Sequence, residues 1–81
     1  MRIKVKFFSS FGNLAGVNED ELEVPEGATL RKVVEVILER YPQLKQFAEY
    51  MITSLNNRVA DEDAPVKEGD VVAIMPPLGG G

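Results

Sequence analysis

Polar and apolar residues alternate strictly at the start of the chain. Ile3, Val5 and Phe7 fall on one side, Arg2, Lys4 and Lys6 on the other. A period of two predicts a half-buried β-strand over residues 2–8. Phe8 breaks the polar side, as either a covered edge residue or part of a contact surface. In the connector 9–16, Phe11, Leu14 and Ala15 have helical spacing, enough for one turn before Gly16 stops it. Residues 21–24 read as a second strand with Leu22 and Val24 inward, ended by Pro25-Glu26-Gly27 and close enough to the first for a hairpin.

The pattern then changes period. Leu30, Val33, Val34, Ile37, Leu38 and Tyr41 recur at steps of three and four, one apolar stripe on an α-helix of about three turns. Thr29 stands at the N-cap position, and Pro42 stops the helix by disfavouring α geometry at Tyr41. Leu44, Phe47, Ala48 and Met51 keep the spacing, predicting a short second helical segment over 43–50. Residues 52–55 look like a strand, Asn56-Asn57 a tight turn and Arg58-Val59-Ala60 its return. Lys67-Glu68-Gly69-Asp70 makes another turn. Val71-Val72-Ala73-Ile74-Met75 is continuously apolar, which predicts burial on both faces at the centre of a sheet.

The order β-β-α-(short α)-β-β-β predicts an α+β layer structure. Its natural solution sets the first and last strands side by side with the long helix across one face. That is a β-grasp (ubiquitin-like) fold, a mixed sheet of about four to five strands with one main helix packed across it. Residues 1–75 form the domain, and residues 76–81 an extended, flexible Gly-rich tail.

Composition narrows the chemistry. The 81 residues include no cysteine and no histidine. That excludes disulfides, thiolate nucleophiles, Cys-ligated metal clusters and Ser-His-Asp or Cys-His catalysis. A net charge of −4 argues against nucleic acid as a partner. No apolar run approaches a membrane span, and no signal peptide is evident, so a cytoplasmic location is expected. The acidic runs Glu19-Asp20-Glu21 and Asp61-Glu62-Asp63 read as a solvated turn and a solvated loop, since adjacent carboxylates do not converge on one ion. No metal site and no bound cofactor are expected.

What remains is the ending Pro76-Pro77-Leu78-Gly79-Gly80-Gly81. Each proline fixes φ and removes a donor, stiffening the exit. The glycines leave no side chain to obstruct a narrow channel. The distinctive group is the carboxylate of Gly81. A carboxylate is a poor electrophile until a partner transfers AMP to it from ATP; sulfur or an amine can then attack the mixed anhydride. Such a partner must enclose the tail to exclude water. The chain would then be a carrier, supplying one group and a docking surface.

Four features run in one order: Ile3-Lys4-Val5-Lys6-Phe7-Phe8, Gly16, Gly69-Asp70-Val71-Val72-Ala73-Ile74 and Pro76-Pro77-Leu78-Gly79-Gly80. Together they resemble the MoaD/ThiS sulfur-carrier family over essentially the whole chain, with the closest likeness to the small, non-catalytic subunit of molybdopterin synthase. The resemblance implies that an E1-like adenylating enzyme, using ATP and magnesium, activates Gly81, and that a sulfur donor converts the adenylate to a thiocarboxylate. It implies that the large synthase subunit, in a heterotetramer, admits the tail and passes sulfur to cyclic pyranopterin monophosphate for the molybdenum or tungsten cofactor. Gly79 and Gly80 would provide clearance in the channel. Phe8, Met75, Pro76, Pro77 and Leu78 would face the partner, with core packing the other reading of Met75. Two departures stand out: three terminal glycines instead of two, and Gly12-Asn13 where the family often has an Arg-Glu pair. The alternatives are a ubiquitin-like modifier joined to lysines through Gly81, a carrier for tRNA thiolation or thiamin, or a β-grasp binding module with an inert tail.

Overall fold

The computed structural model describes residues 1–77. Leu78, Gly79, Gly80 and Gly81 lie outside the described residues. The elements in chain order are β1 (Arg2–Phe7), α1 (Ser10–Ala15), β2 (Glu19–Glu23), α2 (Leu30–Arg40), a 3₁₀ segment (Pro42–Phe47), β3 (Ile52–Leu55), β4 (Arg58–Val59) and β5 (Val71–Met75). They form one mixed sheet in the order β2-β1-β5-β3-β4. β1 pairs antiparallel with β2 and parallel with β5, while β3 runs antiparallel to both β5 and β4. The first and last strands are therefore neighbours at the centre, as the β-grasp expectation requires.

Alternation in β1 sorts the two faces. Ile3, Val5 and Phe7 enter a core shared with Leu30, Val33 and Ile37 of α2, Phe11 of α1 and Val72 and Ile74 of β5. Tyr41 and Phe7 meet edge to face at 4.9 Å, an arrangement that suits the opposite polarity of ring face and edge. The helical stripe divides. Leu30, Val33 and Ile37 are buried, but Val34 is only half-buried and is not packed against the core cluster, whereas Val36 is.

Several expectations need correction. Glu19-Asp20-Glu21 is not a solvated turn; it opens β2, paired with Lys6, Val5 and Lys4. Opposite charges across the antiparallel pair favour this register: Arg2 reaches Glu23 at 3.3 Å and Lys4 reaches Glu19 at 3.9 Å. Thr29 takes the N-cap position with extended backbone but makes no side-chain cap. The opening amides of α2 are satisfied instead by the loop from 61 to 66: Leu30 and Arg31 N–H donate to the carbonyls of Ala64 and Glu62, each at 2.9 Å. The second helical segment is 3₁₀, not α. In that geometry residues three apart align, which turns Leu44 and Phe47 inward together, Phe47 lying 5.4 Å from the ring of Phe11. The continuous apolar strand is central, but only Val72, Ala73 and Ile74 are buried. Val71 and Met75, its ends on the outer face, stay half-exposed while Ala73 between them is buried, so burial on both faces holds at the middle of the strand and fails at its ends.

Candidate functional site: the exit of the last strand

The site is the place where β5 delivers the chain out of the domain. Its entry is tightly fastened. The preceding turn places Gly69 at φ 84°, a left-handed angle that glycine adopts without Cβ strain. Asp70 then ties the turn together. Its carboxylate accepts from the Lys67 N–H at 2.8 Å and from the Asn56 side-chain amide at 3.1 Å. Asn56 in turn accepts from the Val71 N–H at 3.0 Å, and its own N–H donates to the Val71 carbonyl at 2.8 Å. Asn56 and Asn57 carry the positive φ values expected of the turn between β3 and β4.

The exit is fastened once more and then released. The Phe8 N–H donates to the Ile74 carbonyl at 3.0 Å, one step beyond the last β1–β5 pair, Phe7 with Ile74. On the other side Met75 pairs with Ile52. Pro76 and Pro77 have no N–H to continue either ladder, so the strand stops at Met75. Pro76 is half-buried and Pro77 exposed. The chain thus leaves the sheet from its central strand, held from both sides up to the last residue before the prolines.

Strand alternation places Phe8 and Met75 on the outer face, opposite Phe7 and Ile74. Phe8 is 45% exposed, which decides its reading in favour of an available surface over a covered edge. Met75 is half-buried and belongs to neither the buried core nor the residues packed against it. Ile52 shares this face through its pairing with Met75 and is likewise outside the core cluster. These three side chains give the exit an apolar border. Ile52 was not legible as a site residue: Ile-Thr-Ser-Leu over 52–55 does not alternate apolar with polar, and only the register with β5 assigns its face. Lys6 stands beside Ala73 on the same face and makes no ion pair among the described residues, so the border carries a positive charge. Gly81, Gly80, Gly79 and Leu78, the expected reactive and channel-threading positions, lie outside the described residues.

Packing around the departure at Gly12 is close on one side. Gly12 is buried in α1, and a Cβ there would meet Asn18 Oδ1 at 2.6 Å. Only the tip of the exposed Asn18 side chain would have to swing aside, since the nearest backbone atom, the Phe7 carbonyl oxygen, is 3.5 Å away. Among the described residues no group of three acidic side chains is arranged to hold a metal ion, and no helix is long and apolar enough to cross a membrane.

A helix-crossed sheet in the order β2-β1-β5-β3-β4, releasing its chain from the central strand, defines a β-grasp protein of the ubiquitin-like class. The fold matches SAMP1 of Haloferax volcanii with a TM-score of 0.91, covering all of both chains, at 20% identity, a likeness of fold alone. Residues 5–81 match the ThiS family, and the chain belongs to that family. It is 38% identical to a molybdopterin synthase sulfur carrier subunit of Chlamydomonas reinhardtii, covering the whole of both proteins. It is also similar to a putative molybdopterin converting factor subunit 1 of Pyrococcus furiosus, with a TM-score of 0.84 and 36% identity over 96% of this chain and 99% of the other. A complex of subunits 1 and 2 of the molybdopterin-converting factor of Helicobacter pylori matches with a TM-score of 0.73 and 26% identity over all of both chains.

Proposed function

We propose that this protein is a sulfur carrier for molybdopterin synthesis, acting through the carboxylate of Gly81. The observation that carries this reading is the 38% identity, over the full length of both chains, to a molybdopterin synthase sulfur carrier subunit. The geometry at the exit of β5 supports it: the central strand is clamped up to Ile74 and Met75, and two prolines that can join neither ladder then end it. An E1-like enzyme holding ATP and magnesium transfers AMP to the carboxylate and releases pyrophosphate. A sulfur donor then displaces AMP and leaves a thiocarboxylate. The glycines let the partner close around the tail, which keeps water from the anhydride. The large subunit of the synthase docks on the apolar border formed by Phe8, Met75 and Ile52, with Pro76, Pro77 and Leu78 leading the tail into its active site. The Helicobacter pylori complex supports a partner of that kind. The setting is cytoplasmic.

Intact-mass measurement tests the proposal. Incubation with a cognate activating enzyme, ATP, magnesium and a sulfur source should replace one oxygen by one sulfur, and fragmentation should place the change at Gly81. An unchanged mass with an activating enzyme shown to be competent on another carrier would refute it. Conjugates of the protein to lysines of other proteins, without thiocarboxylate, would point to a modifier instead.

A further inference from the structure

A second surface lies between α2 and the β3–β4 edge, and reaches the outer face at Ile52 and Val59. It is a groove of 510 Å³, with a floor that includes Val34, Leu38, Met51, Thr53 and Ala60. Ligand-binding clefts commonly span about 300–1,000 Å³, so this is a real concavity. Its apolar ridge runs along one side of α2 from Leu30, buried in the core at the inner end, to the half-buried Val34 and Leu38, at steps of four residues. Val34 is the telling member: it lies outside the apolar set packed on the core, so folding alone does not account for it. Val59, on the groove's far wall, is 79% exposed.

The rim is net negative. Glu35, Glu49 and Glu62 line it, with Arg31 the single cation of the lining. Arg31 is already engaged by Glu62 at 3.3 Å and Asp63 at 3.1 Å. An apolar floor beneath a net-negative rim disfavours acidic occupants and favours apolar side chains flanked by cations. From Leu30 to Leu38 the ridge runs about 12 Å, the rise of about two helical turns. Two turns of a partner helix offer apolar anchors at i, i+3 or i+4, and i+7, which is the spacing used when helices dock in grooves.

We infer that the groove between α2 and the β3–β4 edge docks a basic amphipathic helix of a protein partner. This interaction does not use the tail and is independent of sulfur carriage. The groove meets the apolar border of the exit at Ile52, while its α2 wall, Val34 and Leu38, lies on the helix-bearing side of the sheet.

The test is an NMR titration of the full chain, labelled with ¹⁵N, by a synthetic amphipathic helix of leucine and lysine. A second peptide keeps the leucines and replaces each lysine by glutamate. The lysine peptide should shift the amides of Val34, Leu38, Thr53 and Ala60 in a saturable way. The glutamate peptide should bind at least about tenfold more weakly, as should the lysine peptide to the Glu35→Lys/Glu49→Lys double variant. Both substituted residues are exposed, so the variant should fold and should still form thiocarboxylate. Equal binding of the two peptides, shifts confined to Phe8 and Met75, no binding, or loss of the same signals by self-association without peptide would each overturn the inference.

Discussion

Phe7 and Phe8 are adjacent, chemically identical and placed on opposite faces of the sheet, which makes them a paired test of the site. Phe7 is 3% exposed and packs edge to face on Tyr41. Truncating it to alanine leaves a cavity among fixed neighbours and should cost about 3–5 kcal/mol, a large part of the stability of so small a domain. Phe8 is 45% exposed, so its truncation removes only about half of a buried phenyl contact. The expected loss of folding stability is about 1–1.5 kcal/mol, or a fall of roughly 5–10 °C in Tm. The exposed share of the ring is about 90 Å², taking about 200 Å² for a whole phenylalanine, and covering it with a partner is worth about 2 kcal/mol. Phe8→Ala should therefore weaken binding to the large synthase subunit roughly thirtyfold. Thermal unfolding and calorimetric titration of the two variants, side by side, measure both terms. The reasoning fails if Phe8→Ala destabilises the fold as much as Phe7→Ala, or if it leaves partner binding intact.

Three further outcomes follow from particular contacts. Asp20 accepts from the Tyr41 hydroxyl at 2.5 Å and pairs with Arg40 at 2.9 Å, joining the end of α2 to β2. The Tyr41 hydrogen bond foremost, helped by the Glu21 N–H and by Arg40 and opposed by burial, holds the Asp20 carboxyl below its ordinary value. A carboxyl lowered on folding stabilises the native state above its unfolded pKa, and that contribution is lost as pH falls through the folded one. Asp20→Asn should thus cost about 1 kcal/mol near neutrality, with the gap to the wild type closing under acid below about pH 4, as followed by urea unfolding across pH. Asp70→Ala removes the acceptor for the Lys67 N–H and the Asn56 amide at the entry of β5. It should lower stability by about 1–3 kcal/mol and raise hydrogen exchange at Val71 before Met75. Deleting Gly80 and Gly81 should abolish sulfur transfer while leaving Tm nearly unchanged; a large drop in Tm would make the tail part of the fold.

The sequence by itself determined most of the elements and pointed to a reagent. Period-two alternation in β1, the three- and four-residue steps of α2 and the Pro-Pro-Gly ending are local patterns, because which side of a strand or helix is apolar depends only on spacing. Absent residue types likewise removed rival chemistry without any structure. Tertiary structure decided the faces and partners. Glu19-Asp20-Glu21 read as a turn because acidic residues favour water; in the fold, Arg2, Lys4 and Tyr41 lie opposite and make it a strand. Thr29 read as a cap, but the loop carbonyls of Glu62 and Ala64, more than thirty residues onward, reached the helix first. Val34 and Ile52 carried no signal of their own, since an apolar residue looks the same whether it fills a core or borders a site. Only strand register and helix rotation, which join residues far apart in the chain, sort the one from the other.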